Sequence, residues 1–210
     1  MKTMTYRWTF LLLIVFGMVG CATPKWEPTT VGGAYVDEQC GYSIALPDGW
    51  SWVKMSRDAP LIVTRDGPGL QAIRVHFREH RHAFPHIEER SSADMLPQEL
   101  AELLVAEFKA EHGSGEVELL GDAPVRISDQ PGFRVEFAWR EANGLRYRGI
   151  VYGVATERGF YFVSYMAPVL NYFAQHEGQF EQAVQTFRLP SGYSPLPGLI
   201  HHPGIPLARA

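Results

Sequence analysis

Between residues 133 and 140 the chain alternates: Phe133, Val135, Phe137 and Trp139 are large and apolar, and Arg134, Glu136 and Arg140 are charged. Successive strand side chains point to opposite faces, so this segment specifies a β-strand packed on one face and polar on the other. Such a strand needs neighbours, and the flanking sequence supplies them. Leu145 to Ala155 and Phe160 to Met166 follow, and Val117 to Leu120 and Val125 to Ile127 precede, each bounded by Gly, Asp, Asn or Pro. These runs predict a meander of antiparallel strands. In Phe160-Tyr161-Phe162-Val163 both faces are apolar, which predicts a central strand covered by helix on at least one side.

Nearer the N-terminus, Tyr42 to Leu46 and Trp50 to Met55 flank Pro47-Asp48-Gly49 and predict a hairpin-like start. Leu61 to Thr64 and Leu70 to Phe77 come next; Ile73, Val75 and Phe77 share one face, and Arg74, His76 and Arg78 the other. The period then changes. Leu96, Leu100, Leu103, Leu104 and Phe108 recur at helical spacing, with Ser92 or Asp94 as candidate N-cap, Pro97 in the first turn and Gly113 at the end. A second helix is expected from Val169 or Asn171 towards Phe187, broken at Gly178, with Phe173, Phe180, Val184 and Phe187 as its buried stripe. The fold class is therefore α+β, a central antiparallel β-sheet flanked by helices.

The first residues follow a different logic. Lys2 and Arg7 precede an apolar stretch from Phe10 to Val19 that is shorter than the roughly 20 residues of a spanning helix. It reads as a secretory signal over residues 1–20. Met18-Val19-Gly20-Cys21-Ala22 resembles the lipobox of bacterial lipoproteins, with Met18 where Leu is usual. That resemblance implies lipidation at Cys21, a diacylglycerol thioether and further palmitate-type acyl chains on the new N-terminus. Two or more chains anchor stably. The alternatives are an uncleaved signal anchor or a false lipobox. Ala22 after the cysteine leans, by the same resemblance, towards the outer membrane. The expected location is the bacterial cell envelope, lipid-anchored and facing the periplasm.

Removing residues 1–20 takes Lys2 and Arg7 from the 19 basic residues and none of the 23 acidic ones, so the formal charge moves from −4 to −6. An acidic chain with no Lys/Arg run has no global attraction for nucleic acid. With Cys21 acylated, Cys40 is the remaining thiol and is read as a small buried apolar residue, the alternative being a redox-active or intermolecular thiol. Residues 21–39, with Pro24, Pro28, Gly32 and Gly33, read as a flexible tether; 40–189 as one domain; and 190–210, rich in Pro and Gly, as a disordered tail.

The stretch Gly41-Tyr42-Ser43-Ile44-Ala45-Leu46-Pro47-Asp48-Gly49-Trp50 resembles the opening of PsbP-like domains. Tyr161 to Pro168, followed by Phe180 to Leu189 with Thr186-Phe187-Arg188-Leu189, is similar to their closing strand and helix. The resemblance spans the domain and implies a PsbP-like α/β/α sandwich of mostly non-catalytic role, a binding or assembly module, and transfers no active site.

No motif names a reaction. Val75 to His86 holds four of the eight histidines, and on a continued strand His76, His80 and His82 would share a face able to hold zinc or copper. Arg74, Arg78 and Glu79 crowd that segment, and a solvated strand end is the preferred reading, with no metal or other cofactor expected. Arg134, Arg140, Arg146 and Arg148 form either an anion-binding patch or cross-strand pairs with Glu136 and Glu141. Trp50, Trp52, Trp139, Tyr147 and Tyr152 suit a ligand cleft or, more economically, the core. Gly113-Ser114-Gly115 lacks nucleophile-elbow spacing, and Glu88-Glu89 lie adjacent on a polar loop. The leading expectation is a membrane-anchored, non-enzymatic binding or assembly module with an envelope protein as partner. The alternatives are a metal- or small-ligand-binding lipoprotein using segment 76–86, and an envelope enzyme built from scattered residues.

Overall fold

The computed structural model describes residues 25–56, 58–113 and 117–189. Cys21, residues 1–20 read as a signal and residues 190–210 read as a tail lie outside the described residues. Among the described residues ten strands form: β1 (Glu27–Pro28), β2 (Ala34–Asp37), β3 (Tyr42–Ala45), β4 (Ser51–Val53), β5 (Leu61–Thr64), β6 (Ala72–Arg78), β7 (Glu118–Ile127), β8 (Gln130–Arg140), β9 (Arg146–Thr156) and β10 (Gly159–Pro168). The helices are α1 (Pro97–His112) and α2 (Ala174–Gln185). The main sheet has eight strands in the order β1-β4-β5-β6-β10-β9-β8-β7, all pairings antiparallel, and β2 and β3 form a separate ribbon. The α+β class read from the periodicity is the observed one.

The sheet has helix on both faces because β10 is apolar on both and β9 contributes to both cores. One core gathers Ile73 and Val75 of β6, Tyr161, Val163 and Tyr165 of β10 and Ile150 and Val154 of β9 under α2 and the β2–β3 ribbon. The other gathers Phe133, Val135, Phe137 and Trp139 of β8, Val151 of β9 and Phe160 and Phe162 of β10 under Leu100, Ala101, Leu104 and Phe108 of α1. Glycines on β9 make room for the rings: a Cβ on Gly153 would stand 2.3 Å from Cζ of Phe133.

Several boundaries differ from the sequence reading. Residues 25–39 contain β1 and β2: Glu27 and Pro28 pair with Trp52 and Ser51, and Tyr35 packs on Trp52, so the folded unit begins before Cys40. Tyr42 to Leu46 and Trp50 to Met55 are not a hairpin. β3 pairs with β2, whereas β4 joins the main sheet between β1 and β5, and Gly49 makes the turn at φ 76°. The runs around 117–120 and 125–127 are one strand, β7, with a register shift between Leu119 and Gly121. Ser92 and Asp94 bond each other at 2.6 Å rather than cap α1; the Glu99 carboxylate accepts the Leu96 N–H at 2.8 Å and Pro97 opens the helix. The second helix is broken earlier than Gly178, at the kinked turn Val169–Phe173, where Asn171 has φ 69°.

Candidate functional site

α1 packs most closely on β7, β8 and β9, and its Leu104, Glu107 and Phe108 border the same space as Arg74, His76 and Arg78 of β6. A cleft of about 440 Å³ remains between the helix and these strands. Its floor follows from strand register. Arg74 of β6 lies directly opposite Ser164 of β10, which lies opposite Val151 of β9; one step along, His76 lies opposite Phe162. Cross-strand partners put their side chains on one face, so Arg74, His76 and Ser164 project together. Phe108 and Leu104 of α1, Phe137 and Trp139 of β8 and Met166 of β10 form the apolar wall.

The polar groups are held unequally. Glu107 is buried, its two oxygens each 2.8 Å from His86, one accepting the amide N–H and one facing Nδ1. Arg78 donates to the Ala83 carbonyl at 2.9 Å, stands 3.8 Å from Glu107 and lies over the Phe162 ring. Trp139 donates its indole N–H to Glu141 at 2.9 Å, and Tyr147 its hydroxyl to the Gly69 carbonyl at 3.1 Å. Arg74 makes no ion pair among the described residues; its guanidinium meets the Pro68 carbonyl at 3.4 Å, and burial lowers its pKa. The Ser164 hydroxyl is buried with no hydrogen-bond partner among the described residues. His76 stacks on Phe162 at 4.2 Å, and burial, with the Arg78 and Arg74 cations, pushes its pKa down to about 3.

The histidine segment does not present one face. β6 ends at Arg78 and His80–His82 form a 3-10 turn, because the chain leaves the sheet there. His76 enters the cleft, His80 bridges Ser91 and the Thr156 carbonyl at 2.7 and 2.8 Å, His82 is exposed and His86 pairs with Glu107. Among the described residues no three His, Cys, Asp or Glu side chains converge as a metal site.

The four strand arginines form no single open patch. Arg134 pairs with Glu136 and Glu181, Arg148 with Glu136, Arg146 with Glu118, and Arg140 bonds the Gly144 carbonyl. Cross-strand pairing thus accounts for Arg148 and Glu136, while Glu141 takes the Trp139 indole instead. Trp50 and Tyr152 pack in the α2-side core with Trp52 at its edge, whereas Trp139 and Tyr147 border the cleft. Cys40 is buried beside β3 and accepts a hydrogen bond from Lys54, 3.4 Å from Sγ; burial raises its thiol pKa, outweighing the opposing Lys54 charge. Glu88 and Glu89 are exposed, and Ser114 and Gly115 lie outside the described residues.

The PsbP family model matches residues 33–189. The chain belongs to the PsbP family. Among solved structures, the solution structure of cyanobacterial PsbP from Synechocystis is similar at 14% identity and a TM-score of 0.53, over 81% of this chain and 96% of that one. A mutant of the protein Mog1 is similar at 13% identity and a TM-score of 0.48, over 80% and 96%. A protein of unknown function from Pseudomonas aeruginosa gives 13% and 0.46, over 73% and 94%. No curated protein matches the sequence. At 14% identity the likeness to cyanobacterial PsbP is one of fold, and the cleft's chemistry is read from this chain's own residues.

Ser164 and Glu107 escaped the sequence reading. Ser164 sits in an apolar run, and Glu107 in a helix whose other glutamates are on or near the surface. The available signal was Arg74-Val75-His76-Phe77-Arg78, a polar face on a strand with neighbours on both sides.

Proposed function

We propose that this PsbP-family chain is a lipid-anchored, non-enzymatic binding or assembly module of the bacterial cell envelope, facing the periplasm, with an envelope protein as its partner. The observation that carries the reading is the cleft: a preformed recess of the size that ligand sites occupy, with aromatic walls and a few convergent polar groups. Arg78, Glu107, Glu141 and Tyr147 are tied to fixed protein partners there, which suits recognition better than proton transfer. Cys21 as the lipid attachment point would keep this surface at the membrane, and the order of charge, short apolar segment, Gly20 and Cys21 supports it.

The anchoring is tested by fractionation and mass spectrometry. The wild-type chain should remain with membranes in high salt and yield an acylated peptide beginning at Cys21; Cys21→Ser should lose both properties. An unmodified Cys21, or an N-terminus still at Met1, would overturn the lipoprotein reading.

A further inference from the structure

We propose that the cleft beside α1 binds a small organic monocarboxylate with an apolar body, its carboxylate on the Arg74 guanidinium and the Ser164 hydroxyl and its body against Phe162, Phe108 and Trp139. The inference rests on the reading of the chain as a binding module and names the ligand class of its cleft.

Two incompletely partnered groups stand side by side. Arg74 and Ser164 are directly opposed across β6 and β10, and both line the cleft. Ser164 is 1% exposed and its hydroxyl has no partner among the described residues, a state that native interiors avoid unless something absent from the chain fills it. Arg74 carries a full charge into the same space without an ion pair among the described residues, meeting the Pro68 carbonyl at 3.4 Å and drawn by the more distant Glu111, whereas Arg78, four residues on, has the Ala83 carbonyl and Glu107. A guanidinium offers a planar fork of N–H donors that fits a carboxylate with two parallel bonds. The serine hydroxyl on the neighbouring strand can add a third donor beside it.

The surroundings select among anions. Glu107, Glu111 and Glu141 border the cleft, so its net field does not favour a multiply charged phosphate. His76 is neutral at physiological pH and adds no charge to offset them. One negative charge can be met by Arg74; a second would face the glutamates. The rings of Phe108, Phe137, Trp139 and Phe162 supply an apolar wall that an inorganic anion would leave unused. A volume of about 440 Å³ admits a body of one ring or a medium-length alkyl chain.

The test is a calorimetric titration of the full chain, purified in a non-ionic detergent, with 3-phenylpropionate and with octanoate. 3-Phenylpropionamide provides the body without the charge, and inorganic phosphate the charge without the body. At least one of the two acids should bind with one-to-one stoichiometry and raise the melting temperature, and the amide and phosphate should bind at least tenfold more weakly. Arg74→Gln should weaken the acid at least tenfold, Arg74→Lys less, and Ser164→Ala several-fold. Circular dichroism and a cooperative melting transition establish that each variant is folded before it is titrated. Failure of both acids to bind, equal binding of the amide or phosphate, or unchanged affinity in Arg74→Gln would overturn the proposal. The titration uses purified protein and does not depend on anchoring, so its failure is distinct from failure at Cys21, which membrane fractionation reads.

Discussion

His76 shows how one residue's surroundings become a property of the whole protein. Its ring lies nearly parallel to that of Phe162, between two arginines on its own strand, and burial with those cations pushes its pKa down to about 3. In the unfolded chain the imidazole titrates near ~6.5. Between these values the unfolded state binds more protons than the folded one, so stability rises with pH. The contribution from keeping His76 neutral is fully present above about pH 6.5 and is lost as pH falls towards 3, at up to about 1.4 kcal/mol per pH unit. Arg74 and Arg78 stay charged throughout, and Glu107, Glu111, Glu141 and His112 are the other ionisable groups bordering this cleft. The prediction is therefore comparative: His76→Phe should flatten the fall in denaturant midpoint between pH 6.5 and pH 4 relative to wild type. Parallel curves for the two proteins would show that His76 is not the group responsible. In the sequence His76 was legible as a polar-face strand residue, but not its neutrality, which comes from Phe162, remote in sequence and adjacent in register.

At the scale of elements, β5, β6, β8, β9, β10 and α1 were readable because each carries its own periodicity. β1 and β2 were not. Glu27–Pro28 and Ala34–Asp37 are too short to show a pattern, and nearby Pro and Gly read as spacer. What holds them is non-local. Thr29 Oγ1 is bonded to the Pro47 and Trp50 carbonyls and accepts the Trp50 N–H. Tyr35 packs on Tyr42 and Trp52. Asp37, on the buried end of β2, accepts hydrogen bonds from Lys54 and from the Cys40 amide at 2.8 Å. Burial alone would raise the Asp37 pKa, but these bonds hold it below the usual carboxylate range. A chain beginning at Cys40 would keep Lys54, 12% exposed, without that carboxylate. Breaking such a pair costs about 3 kcal/mol or more. A fragment of residues 40–189 should therefore unfold at markedly lower denaturant than one of residues 25–189; equal midpoints would restore residues 25–39 to the role of tether.

For the molecule as a whole, the sequence disclosed the sheet and its two helical layers but not the cleft, because a gap between layers has no periodicity. It arises beside α1, which packs most closely on β7 to β9, and Arg74 and the buried Ser164 line the gap between that helix and the neighbouring strands. A PsbP-family fold built this way presents a sheet floor beside a helix edge, and the proposed binding takes place there. The most direct measurement is photo-crosslinking in the intact envelope. A photoreactive phenylalanine analogue in place of Leu70, at the cleft and 37% exposed, is compared with the same analogue in place of Val36 on the β2–β3 ribbon, 61% exposed, and adducts are read by intact mass. A discrete adduct from position 70, absent from position 36 and lost when Arg74→Gln is added, is the predicted result. Equal labelling from both positions, or an adduct from position 36 alone, would contradict it.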